Sequence, residues 1–92
     1  MTSQIKLENI LAEMATLLRS YGNETWAEAF SRLSKEVHID PAGVLSEIRR
    51  MYGGMGSLSD IVLYTPNGSL LPLENNRFDA LRHELYQLSR AI

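Results

Sequence analysis

Leu7, Ile10, Leu11, Met14, Leu17, Leu18 and Tyr21 recur at steps of three and four residues, and this rhythm limits the chain more than any other feature. Such spacing puts every apolar side chain on one stripe of an α-helix, predicted here over about Gln4 to Tyr21. A stripe of that kind has to be buried against another element. The same rhythm returns in Trp26, Phe30, Leu33 and Val37, in Val44, Leu45, Ile48 and Met51, and in Phe78, Leu81, Leu85, Leu88 and Ile92. Four helices are therefore expected.

The boundaries between them carry recognisable chemistry. Gly22 can take the left-handed conformation that closes a helix, and Asn23 with Glu24 suits the start of the next. A link this short implies an antiparallel pair. Asp40-Pro41 reads as an N-cap followed by a proline at the first helical position, where a missing N–H costs nothing. Gly53-Gly54 is expected to stop the third helix, and Asn75 or Asn76 to cap the last.

Between the third and last helices the period changes. Ile61 to Tyr64 is a short β-prone run, Thr65-Pro66-Asn67-Gly68 is a turn signal, and Ser69 to Leu73 returns. This reads as a β-hairpin in which Asn67-Gly68 supplies positive φ angles and Pro72 marks an edge strand. The expected fold is α+β and predominantly α, with about four helices and one β-hairpin between the third and last. The 92 residues form one domain, 1–92, with 45% hydrophobic residues to supply its core.

Composition narrows the function. There are no cysteines, which favours a reducing compartment, and neither a signal peptide nor a membrane span is apparent, so a cytoplasmic protein is expected. Nine basic against eleven acidic residues give a net charge of −2, which argues against nucleic acid as a partner. His38 and His83 sit in no metal-ligand spacing, so no metal or other cofactor is expected. No GxSxG elbow is present, and no lysine lies beyond Lys35 to complete a phosphate loop. The chain reads as a binding protein and not as an enzyme.

The remaining candidates cluster at the joint Tyr52–Asp60. Gly53, Gly54 and Gly56 permit backbone angles that a Cβ would forbid, and Ser57 with Asp60 has the spacing of a capping box. These residues, Gly53, Gly54, Gly56 and Ser57, are expected to shape the loop. Tyr52, Met55, Asp60 and Tyr64 are the candidate partner contacts, Met55 either plugging the core beneath the loop or serving as an adaptable exposed contact.

The stretch from Tyr52 to Leu63, YGGMGSLSDIVL, resembles a recurrent signature of small bacterial proteins, in which a helical N-terminal part is followed by YGGMGS, two further residues, an acidic or amide position and an apolar strand. Ser59 stands where such proteins often carry Asn. Their size and style are similar to immunity proteins of polymorphic toxin systems, including contact-dependent growth inhibition. The resemblance implies that the chain binds and neutralises a cognate toxin domain. Two other readings stay open: a ligand- or anion-binding accessory domain using the Gly53–Gly56 loop, and a homodimeric structural or regulatory protein.

Overall fold

The computed structural model describes residues 2–52 and 58–91. Its elements are α1 (Thr2–Ser20), α2 (Glu24–Glu36), α3 (Pro41–Met51), a single 3-10 turn (Leu58–Asp60) and α4 (Pro72–Ala91). Helix α1 packs against both α2 and α4, while α3 packs against α4 and, less extensively, α2. Leu7, Leu11, Met14 and Leu18 of α1 meet Phe30 and Leu33 of α2, Ile48 of α3, and Phe78, Leu81 and Leu85 of α4 in one core. The stripes that defined the helices in the sequence are the faces that pack.

The α1–α2 corner follows from Gly22. Its φ is +84°, and the Asn23 N–H donates to the Leu18 carbonyl at 2.8 Å while the Gly22 N–H reaches Arg19. This pair of bonds satisfies the last carbonyls of α1 in a Schellman closure. Asn23 occupies the N-cap position of α2, but its side chain makes no capping hydrogen bond. Stacking of Trp26 on Phe30, with centroids 5.9 Å apart, fills the buried face of that helix.

At α3 the cap is complete. The Asp40 carboxylate accepts the Gly43 N–H at 3.1 Å, and Pro41 opens the helix. Replacing Asp40 with alanine is expected to cost about 1 kcal/mol, which thermal unfolding reads as a drop of about 4–8 °C for a domain of this size. An unchanged melting temperature would mean that packing alone fixes the start of α3.

The expected α+β class is overturned. Among the described residues no strand forms, and the chain is all-α. Of the hairpin there remains a single isolated antiparallel bridge, Tyr64 to Leu70. Gly68 alone takes a positive φ, +86°, because the turn closes with the Gly68 N–H on the Thr65 carbonyl and leaves Asn67 on the ordinary side. The physical reason for the lost strand lies at Pro72. This proline opens α4, and the Asn75 N–H donates to the Leu71 carbonyl at 2.8 Å as the helix begins. Leu71 is the last residue that could extend the ladder, so the returning arm ends before a second rung. Asn75 and Asn76, expected as caps, lie inside the first turns of α4.

Candidate partner-binding surface

Residues 61–71, between the 3-10 turn and α4, are held by two side chains, Asn75, which sequence reasoning took for a cap, and Arg82, which it passed over. Asn75 projects from α4 into the gap left by the missing rung. Its Oδ1 accepts the Leu63 N–H at 2.8 Å, and its Nδ2 donates to the Leu63 and Leu71 carbonyls, both at 2.9 Å. A side-chain amide thus does for Leu63 what a neighbouring strand would have done. Two turns further on, Arg82 Nη1 donates to the carbonyls of Leu58 at 2.8 Å and Ile61 at 3.0 Å. Its guanidinium also pairs with Asp79 and lies 5.1 Å from the centroid of the Phe78 ring.

These clamps fix which way the connector faces. Leu58, Ile61 and Leu63 are buried in the core. Alternation then turns Val62 and Tyr64 outward, each 46% exposed. Leu70, opposite Tyr64 across the bridge, is 64% exposed, and Leu73 in the first turn of α4 is 78% exposed. Val62, Leu70 and Pro72 line a shallow apolar cleft of about 320 Å³ with Asn75 and Arg82 in its wall. A second cleft, of about 490 Å³, separates residues 62–66 from the α1–α2 corner at 19–23. No charged residue occurs from Ile61 to Leu73, and Asp60 and Glu74 bracket that run. Exposed apolar clusters of this kind mark binding surfaces more often than chance.

The candidate contacts are dispersed. Tyr64 faces Leu70 across the bridge and is half exposed. Asp60 is exposed in the 3-10 turn. Tyr52 is half-buried: its hydroxyl donates to the Arg82 carbonyl at 2.6 Å, and its ring meets Tyr86 edge-on with centroids 5.1 Å apart. Burial pushes its hydroxyl well above the usual tyrosine range. Tyr52 therefore ties the end of α3 to α4, and with Tyr86 and His83 it lines a separate cleft of about 310 Å³. Met55 and the loop residues Gly53, Gly54, Gly56 and Ser57 lie outside the described residues. Leu70 and Leu73 were missed as surface residues because a hairpin reading assigns them to a strand.

Several ionisable groups form structural pairs. Arg77 embraces Glu13 with two bonds, Nε to Oε2 at 2.5 Å and Nη2 to Oε1 at 2.6 Å, joining α4 to α1. The hydrogen bonds from Arg77 hold the Glu13 carboxyl below the usual carboxylate range. His38 lies beside Glu8, with Nε2 to Oε1 at 3.0 Å. Among the described residues no three His, Asp or Glu side chains converge as metal ligands, and no helix is long and apolar enough to cross a membrane.

No curated protein and no solved structure matches the chain. A family profile does match, over residues 19–72, from the end of α1 to the first residue of α4. It spans the α1–α2 corner, α2, α3 and the whole of the clamped connector, and on that match the chain belongs to the family described as a domain of unknown function, DUF6966.

Proposed function

We propose that the protein is a cytoplasmic, non-enzymatic immunity protein that binds a cognate bacterial toxin domain and blocks its action. The observation that carries this reading is the set of exposed apolar side chains Val62, Tyr64 and Leu70 on an uncharged connector clamped by Asn75 and Arg82, with Leu73 exposed just beyond it in α4. A clamped apolar surface that includes an exposed aromatic residue suits protein association, because less loop freedom remains to be lost on docking. The YGGMGS stretch, which carries the resemblance to immunity proteins, lies within the part of the chain matched by the family.

Co-expression with a candidate toxin domain, such as the product of an adjacent gene, tests the proposal. The wild-type protein should restore growth and co-elute with the toxin. Tyr64→Ala combined with Leu70→Asp should weaken the complex about 100-fold, or about 2.7 kcal/mol. Both residues are substantially exposed, so the melting temperature of the double variant should stay within about 2 °C of wild type. Full protection by the double variant, or the absence of any complex with the wild type, would sink the proposal.

A further inference from the structure

Hydrogen bonding along the connector alternates as strictly as its burial. The Leu63 N–H and C=O are taken by Asn75, and the Thr65 N–H donates to the Ser69 carbonyl at 2.9 Å. Both residues turn their main-chain groups towards the returning arm and α4. In an extended chain the intervening residues turn theirs the opposite way. Val62 and Tyr64 fit this geometry: among the described residues, no protein group pairs with the N–H or C=O of either. Four main-chain groups are thus presented at the two-residue spacing of a β-ladder.

We propose that this edge is a docking site for an extended segment of a protein partner, which adds to Val62–Tyr64 as a neighbouring strand. The open edge specifies the occupant, because donors and acceptors alternating at rung spacing are complemented by another extended backbone. The uncharged run from Ile61 to Leu73 specifies the side chains that lie over it, apolar residues alternating with small polar ones, while the one charge lining the cleft beside the edge, Arg19, is already paired with Glu24. Edge strands are commonly guarded by a lysine, a bulge or a proline within the edge. Here the guards stand only at the ends: Asp60 before the edge and Pro66 after it. The cleft between residues 62–66 and the α1–α2 corner provides room beside the edge. The inference holds whatever protein is bound, so it can fail or succeed separately from the immunity role.

The full chain is tested against an array of eight-residue peptides in which Val, Leu or Tyr alternates with Ser or Thr. Each peptide is accompanied by two copies, N-methylated on one or the other alternate set of amides. For a peptide that docks, one methylated copy should lose at least tenfold in affinity while the other binds as before, because only one set of amides faces the edge. With that peptide bound, amide exchange should slow at least tenfold at Val62 and Tyr64 and stay unchanged at Leu63 and Thr65. The proposal is overturned if no peptide binds, if both methylated copies bind equally, or if Val62 and Tyr64 gain no protection. Protection that grows with protein concentration alone also overturns it, by giving the edge to a second copy of the chain.

Discussion

Arg82→Met should lower stability by about 3 kcal/mol, the largest loss expected from a single polar side chain in this protein. Methionine preserves much of the apolar stem, so the change isolates the guanidinium. Its removal leaves the carbonyls of Leu58 and Ile61 without their charged donor at a partly buried site. Hydrogen bonds to a charged group are worth roughly 1.5–3 kcal/mol each, and incomplete burial keeps the pair towards the lower end of that range. For a domain of this length the melting temperature should fall by about 12–24 °C. Arg82→Lys should recover part of the loss, because an ammonium lacks the planar fork that reaches Asp79 while serving both carbonyls. A methionine variant within about 3 °C of wild type would show that Leu58 and Ile61 hold the connector by packing alone.

The second large effect is expected at Asn75. Alanine there strands the N–H and C=O of Leu63 together and removes a bond to Leu71. Water can reach this part-buried site, which holds the expected cost to about 2 kcal/mol, or about 8–16 °C in melting temperature. Asn75→Asp separates the two halves of the clamp. Its carboxylate can still accept the Leu63 N–H, but it faces two carbonyls that Asn75 served as donor. That repulsion raises the folded-state pKa of the introduced acid above its unfolded value. Relative to wild type, the aspartate variant should therefore be weakest at neutral pH and recover as pH falls through the raised pKa. Equal deficits for Asn75→Asp at pH 7 and pH 4 would contradict this account of the clamp.

The helices were legible in the sequence because each depends on a local signal. Gly22 and the Asp40-Pro41 pair act within four residues of where they stand, and the apolar stripes state which faces pack. The connector was misread because its decisive partners are distant in sequence. Pro72 and Pro41 do the same work at the start of a helix, but Pro41 follows a capping aspartate and Pro72 follows Leu71. Without a cap residue, a proline beside Leu70 and Leu71 looks like the edge of a strand. Asn75 looked like a cap because caps are the commonest use of asparagine near a helix start. Its amide instead spans twelve positions to Leu63, and Arg82 spans twenty-four to Leu58. Nothing in spacing or periodicity encodes such a reach.

The Asn75–Leu63 contact also sets an order of assembly. The α1–α2 pair closes through the short Gly22 corner, so it needs only a small loop and can form early. The connector has no register of its own until the first turns of α4 exist, because the amide that positions Leu63 is carried there. It is therefore expected to settle last and to open first. Substitutions at Asn75 should accelerate unfolding while leaving the refolding rate nearly untouched. The surface proposed to meet a partner is in this sense completed last, on a helical frame already in place.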